Sequence, residues 1–221
     1  MMNRTLLRGY TLVEMMVGLT VSLVVLAASI ALFSVNTNMG TSHLQRDFLR
    51  SQLNLLSDRL KNDISRAGFC YDCSTINPFI VAGAPGEFSS ILIDDSAIKE
   101  AEGTCIRFAY NHDKRSGPSS LDKDDAMGYR LGKDANDDPV IEMYENWNDL
   151  TNWTCDSGYW RDMTFDRLKI DNLTFQRSNH NVVGSANRLQ HIEVEIVASL
   201  KSDSSISDSV SFTVSVPNVD G

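Results

Sequence analysis

Hydrophobic and polar positions divide the chain into three stretches with different periods. Residues 10–33 are almost all apolar or small, with Glu14 as the only charge. Residues 15–45 contain no Asp, Glu, Lys or Arg, where an average of 22% charged residues would put about seven. As a helix, residues 10–33 reach roughly 36 Å at about 1.5 Å per residue, enough to cross the hydrocarbon core of a bilayer. No proline precedes Pro78, so nothing obliges this helix to stop at a membrane boundary.

Past His43 the apolar residues become periodic. Leu44, Phe48, Leu49, Leu53, Leu56, Leu60, Ile64 and Ala67 form one stripe, while Arg46, Asp47, Arg50, Asp58, Arg59, Lys61, Asp63 and Arg66 take the remaining faces. Asp47 with Arg50, Asp58 with Lys61, and Asp63 with Arg66 are opposite charges three apart, each pair worth a few tenths of a kcal/mol. Gly68 is a natural stop, since it tolerates the left-handed conformation. The pattern predicts one helix over about 10–67, its first half embedded and its second half laying an apolar stripe against a domain.

After Pro78 short β-like runs alternate with turn residues, at 90–93, 105–110, 128–131, 140–144, 168–175, 189–200 and 209–216. The last two alternate clearly, with Ile192, Val194, Ile196 and Ala198 on one face of the first and Val210, Phe212, Val214 and Val216 on one face of the second. Residues 201–208 read as a polar connection, so the two form an antiparallel hairpin. One helix packed on an antiparallel sheet makes an α+β domain.

Charge then decides orientation and excludes one class of partner. The 221 residues carry 29 Asp and Glu against 20 Lys and Arg, a net charge of −9. That balance argues against a nucleic-acid-coating surface, which needs clustered cations. Arg4 and Arg8 precede the apolar stretch and the next basic residue is Arg46, so the positive-inside bias keeps the N-terminus in the cytoplasm and sends the remainder across the membrane. A cleavable signal peptide, with small residues at Ala27, Ala28 and Ser29, or a plain anchor both fit the hydropathy. Neither accounts for a carboxylate five residues into the apolar run.

The segment Arg8-Gly9-Tyr10-Thr11-Leu12-Val13-Glu14-Met15-Met16 resembles the type IV prepilin signature. The resemblance implies a leader at residues 1–9, cleavage between Gly9 and Tyr10, N-methylation of Tyr10 by a prepilin peptidase, and Glu14 as the fifth-position glutamate that guides assembly and subunit register. Tyr10 stands where phenylalanine is more usual. Farther on, Asp63-Ile64-Ser65-Arg66-Ala67-Gly68-Phe69 is similar to the segment that ends the helix in PilW-type minor pilins. Cys105-Ile106-Arg107-Phe108-Ala109-Tyr110 is similar to their cysteine strand, Gly128-Tyr129-Arg130-Leu131 to a further strand, and Leu173-Thr174-Phe175 and 214–218 also fit. The fold implied is pilin-like α+β: leader 1–9, transmembrane and filament-core helix 10–33, amphipathic continuation 34–68, and a β-rich periplasmic or extracellular head 69–221.

The function implied is that of a minor pilin that enters or primes type IV pili near the tip. It would sit as a single-pass inner-membrane protein before assembly and at the cell surface afterwards. The implied partners are the prepilin peptidase and N-methyltransferase, other minor pilins, the major pilin and the inner-membrane assembly platform. The tip pseudopilin J of type II secretion shares much of this organisation. A membrane-anchored extracytoplasmic enzyme or sensor is the reading from a different class.

Chemistry-bearing clusters are few. Cys70, Cys73, Cys105 and Cys155 all lie in the exported part, and an even count there favours two disulfides with three possible connectivities. A redox pair wants Cys-x-x-Cys opening a helix, whereas this one follows a helix stop, and zinc wants a second tight pair. The family resemblance pairs Cys105 with Cys155, leaving Cys70 with Cys73. Asp134, Asn136 and Asp138 have the spacing of the first ligands of a calcium loop, with Glu145 at the twelfth position, but Pro139 replaces the glycine of the sharp turn. The expectation is a solvated acidic hairpin loop and no cofactor. His43, His112, His180 and His191 form no metal pair, and no nucleophile or phosphate-loop motif occurs. Trp147, Trp153, Tyr159 and Trp160 cluster and read as buried aromatics rather than a binding platform.

Overall fold

The computed structural model describes residues 10–73, 77–81, 90–95, 101–111, 121–145, 150, 152–181 and 188–217, with the side chains of 179–181 and 188–189 left out. The leader with Gly9, and also His112, Trp147 and the His180 side chain, lie outside the described residues. The chain divides into two compact units, Met1–Gln45 and Arg46–Gly221.

Helix α1, Leu12–Ile64, runs through both units. In the first, every side chain from 10 to 41 is exposed. In the second, Leu49, Leu53, Leu56, Leu60 and Ile64 are buried along one face, followed by Ala67. Phe48 is half-buried, its ring edge-on to Phe165 at 5.5 Å. Leu44, which the spacing places on the stripe, is exposed and lies in the first unit. After Ile64 the chain tightens, with the N–H groups of Arg66 and Ala67 donating to carbonyls three residues back. Gly68 then takes φ 73° and donates its N–H to the Ala109 carbonyl at 2.8 Å. The stop is therefore fastened to a strand as well as permitted by the missing side chain.

Among the described residues nine strands follow: β1 (Ile91–Ile93), β2 (Glu102–Gly103), β3 (Cys105–Ala109), β4 (Ala126–Lys133), β5 (Pro139–Tyr144), β6 (Trp160–Asp162), β7 (Leu168–Asn181), β8 (Arg188–Leu200) and β9 (Asp203–Val216). They form two antiparallel sheets, β1-β3-β4-β5-β6 and β2-β7-β8-β9, rather than the one expected. The chain changes sheets at Thr104. Gly103 pairs with Phe175 of β7 and Cys105 pairs with Arg130 of β4. A two-residue strand carries no readable period, which is why β2 and this switch escape the sequence.

Both sheets close on the helix stripe. Ile106, Phe108, Tyr129 and Ile141 from the first and Leu173, Phe175, Ile192, Val194, Ile196 and Val214 from the second share one buried cluster with Leu49, Leu53, Leu60 and Ile64. The polar connection expected at 201–208 is mostly strand. β9 begins at Asp203, Asp208 pairs with Ala198, and Ile206 is buried. Only one face of an edge strand must be apolar, so a Ser- and Asp-rich run can hold the ladder while masking its period.

A buried carboxylate borders this core. Asp63, spaced to pair with Arg66, instead accepts the Tyr129 hydroxyl and Arg59 Nε on the same Oδ2, the latter at 2.8 Å. The Arg66 guanidinium lies over the Tyr110 ring, 5.7 Å from its centre. Burial, reinforced by the Asp63 charge, raises the Tyr129 pKa far above the ordinary tyrosine range, so its hydroxyl stays a donor at all working pH.

Leu53→Ala should lower unfolding stability by about 2–5 kcal/mol, because both sheets hold the vacated space open. Tyr129→Phe should cost about 1–3 kcal/mol by leaving the Asp63 carboxylate short of a donor. Urea denaturation of the detergent-solubilised chain measures both. A wild-type midpoint for Tyr129→Phe would show that the Asp63 bond carries no stability.

Candidate functional site

The start of α1 is built by two residues of the signature, Thr11 and Glu14. The Thr11 N–H and Thr11 Oγ1 both donate to Glu14 Oε2, at 2.8 and 2.9 Å, and the Glu14 N–H donates to Thr11 Oγ1 at 3.3 Å. This reciprocal arrangement is a capping box, in which the first and fourth residues satisfy each other's orphan N–H groups. Its Thr-x-x-Glu signal stands in the sequence at residues 11–14, within the prepilin-like segment. Glu14 uses one oxygen for all of this, and Oε1 has no partner among the described residues. Tyr10 precedes the box and is 85% exposed. The site thus presents a carboxylate, held by its own helix, one turn from the aromatic residue of the signature.

The head carries a second cluster on the outer face of the five-stranded sheet. Disulfides join Cys70 to Cys73 and Cys105 to Cys155, with Cα separations of 5.8 and 6.0 Å. Cys105 lies in β3, and Cys155 lies in a segment strapped across the sheet. Arg107 of β3 donates to the Trp153 carbonyl, pairs with Asp95 and lies 5.0 Å from the centre of the Trp153 ring. Arg130 of β4 donates to the Cys155 carbonyl at 2.7 Å, pairs with Glu142 at 2.7 Å and lies 4.6 Å from the Trp160 ring centre. Beneath the strap Trp153 packs with Phe79, Ala109, Ala126 and Tyr144. Trp160 meets Tyr144 edge-on at 5.3 Å, while Tyr159 is exposed. Nothing in the spacing of Arg107 and Arg130 announced them; their roles follow from cross-strand register.

A polar hollow beside this disulfide is lined in part by Asp94, Asp95, Arg130 and Asp156. Asp94 accepts the N–H groups of Thr104 and Cys105 at 3.1 and 3.0 Å. Its carboxylate fills the space beside Gly103, where a Cβ would stand 2.2 Å from an oxygen. Asp94, Cys105 and Cys155 converge closely enough to face one metal ion, but both sulfurs are in the disulfide and offer no thiolate.

The acidic loop is occupied by the protein itself. Asp134 accepts the backbone N–H groups of Asn136 and Asp138, and Lys201 reaches Asp134 at 2.9 Å and Asp138 at 2.8 Å. These bonds hold Asp134 below the ordinary carboxylate range and raise Lys201. Glu145 is not brought to this group and pairs with Arg161 at 3.0 Å. Asp137, at φ 69°, supplies the left-handed turn residue. Lys201 thereby ties the β4–β5 loop to the β8–β9 turn. Of the histidines, His191 shares a 3.0 Å hydrogen bond with Ser215.

Residues 42–216 match the family described as prepilin peptidase-dependent protein B, and residues 7–30 match the prokaryotic N-terminal methylation motif. The comparison with curated proteins and that with solved structures gave no match. The two matches together span the signature, both disulfides and the sheets, and they are pilin-type structural families rather than enzymes.

Cys105→Ser should lower the abundance of exported protein far more than Cys70→Ser. The first opens a cross-link 50 residues apart in sequence, against three for the second, and chain entropy assigns about 4 kcal/mol to a loop of that longer size. Immunoblots of both variants, with thiol labelling of native material, check the ranking. Equal abundance would remove the strap from the stability of the head.

Proposed function

The chain belongs to the prepilin peptidase-dependent protein B family, and on that premise we propose that it is a minor type IV pilin of the PilW class. It is made as an inner-membrane precursor, cut between Gly9 and Tyr10, N-methylated at Tyr10, and joined to other minor pilins and the major pilin near the filament tip by the assembly platform. Its work is structural, and no catalytic group is assigned to it.

The observation that carries this reading is the combination of an unburied apolar helix with a capped carboxylate at its start. From Leu12 to Phe33 the large apolar side chains are half or more exposed. In water that surface is strongly unfavourable, so it requires lipid before assembly and neighbouring helices afterwards. Cleavage after Gly9 would place a positive amine on Tyr10, at a helix end whose dipole is also positive. Leaving water, that amine and the Glu14 carboxylate each need a partner. The capping box occupies Glu14 Oε2 and leaves Oε1 to accept the amine of an adjoining subunit. A neighbour mismatched in height would leave both charges unpaired, which makes the contact a register device.

Processing is tested at Gly9, where the peptidase must accept a tight backbone. Gly9→Val should leave an uncut precursor, heavier by the leader, in the inner membrane, and normal cleavage would move the site. Assembly is tested at Glu14. Glu14→Ala and Glu14→Gln should both be cut and fold their heads, yet co-purify poorly with other minor pilins and leave few pili. The Gln variant keeps an oxygen for the cap but loses the charge, so wild-type assembly in it would sink the charge pairing. Wild-type assembly in both variants would sink any role for Glu14 in the filament.

A further inference from the structure

β9 is the terminal strand of its sheet. β8 pairs one side from Leu200↔Asp203 to Gln190↔Val216, and no described strand pairs the other. Exposed edges are ordinarily blunted by shortness, Lys, Pro or a bulge, because their free N–H and C=O groups template further pairing. This edge has none of these over 209–216. The strand is 14 residues long, and its second half reads Ser-Val-Ser-Phe-Thr-Val-Ser-Val, without charge or proline. The one register shift with β8 lies at Ser199/Leu200, beside the turn. On the core side Val214 and Val216 are buried, but Val210 and Phe212 are only half-buried and an added strand would cover them.

The opposite face says what that strand would carry. Ser209, Ser211, Thr213 and Ser215 line it, all exposed and all short. Behind Ser211 and Thr213, on β8, stand the exposed carboxylates of Glu195 and Glu193. Asp208 closes the run. No described Lys or Arg faces this stretch, and His191, opposite Ser215, is already bonded to it. A strand added to β9 lies two inter-strand spacings of about 4.8 Å from β8. Across small hydroxyl residues, a long cationic side chain from the added strand can span that distance to the carboxylates. A second copy of β9 would bring serine and threonine to those positions and leave the glutamates unanswered.

We propose that the free edge of β9, over residues 209–216, receives an extended basic segment of a partner polypeptide by β-augmentation. Main-chain hydrogen bonds supply the attachment, and Lys or Arg at alternate positions, reaching over Ser211 and Thr213, supply the selectivity. This surface goes beyond the filament role proposed above and does not depend on it.

The probe is a capped eight-residue peptide alternating Lys and Val, added to the full chain in neutral detergent and followed by fluorescence anisotropy and amide hydrogen exchange. Its counterparts carry Glu for Lys, or N-methylated amides on alternate residues. The Lys peptide should bind saturably and slow exchange within 209–216, while both counterparts should fail. The double variant Glu193→Gln, Glu195→Gln should weaken binding about tenfold with unchanged circular dichroism. Ser211→Lys, which adds the missing edge charge, should abolish it. Binding of the Lys peptide without protection at 209–216 would be attraction to net charge alone and would overturn the proposal, as would equal binding by the Glu or N-methyl peptide, or no binding. Protection of 209–216 in a self-associated chain without peptide would assign the edge to a second copy and overturn it too.

Discussion

The head is organised by one constraint: the stripe from Leu49 to Ala67 has to be covered on two sides at once. Leu53, Leu60 and Ile64 share a cluster with residues of both sheets, so neither sheet buries its inner face without the helix. Each sheet in turn supplies what the other cannot. β3 is buried along its whole length, because the strap covers its outer side, whereas β8 alternates buried and exposed from Ile192 to Ile196 as a strand with one wet face does. Inserting Asp63 into this stripe is costly unless its oxygen is bonded, and Tyr129 from the first sheet and Arg59 from the helix meet that need. The pairing also fixes the helix's rotation about its axis, since only one helical face can put Asp63 opposite Tyr129.

The helix serves two environments by changing its pattern rather than its backbone. Up to residue 41 its side chains are uniformly exposed and, after Glu14, uncharged. From Leu49 on, one face is buried and the others carry charge. In the apolar part Thr20 donates its hydroxyl to the Val17 carbonyl, Ser22 to that of Gly18 and Ser29 to that of Val25, three or four residues back. These hydroxyls carry a partner of their own into an apolar surrounding. The capping box does the same for the first turn, and it does so with the very carboxylate that the prepilin signature singles out.

Away from the core, the head is held by cross-links of three kinds. A disulfide and two arginines clamp the strap over the outer face of the first sheet. Lys201 joins the loop of one sheet to the turn of the other. Gly68 ties the helix stop to β3. All three act between segments distant in sequence, the disulfide across 50 residues and the Lys201 to Asp134 contact across 67.

Local pattern was enough to expose the helix, its stop at Gly68, the buried stripe and most strands. Each of these depends on spacing within one segment, and a period of 3.6 or 2 is visible wherever one face must be apolar. The prepilin signature is legible for the same reason, as its residues are contiguous. The partition of strands into two sheets was hidden, because it turns on the two-residue β2 and a switch at Thr104 that leave no period. The polar start of β9 was hidden because an edge strand needs little apolar surface. Four cysteines permit three connectivities, and only the register of β3 beneath the strap brings Cys105 to Cys155. Asp63 meeting Tyr129, Asp134 and Asp138 sharing Lys201, and Arg107 under Trp153 likewise pair groups far apart along the chain. Such contacts are chosen by how the sheets and helix pack in space, and no spacing along a single strand or helix encodes them.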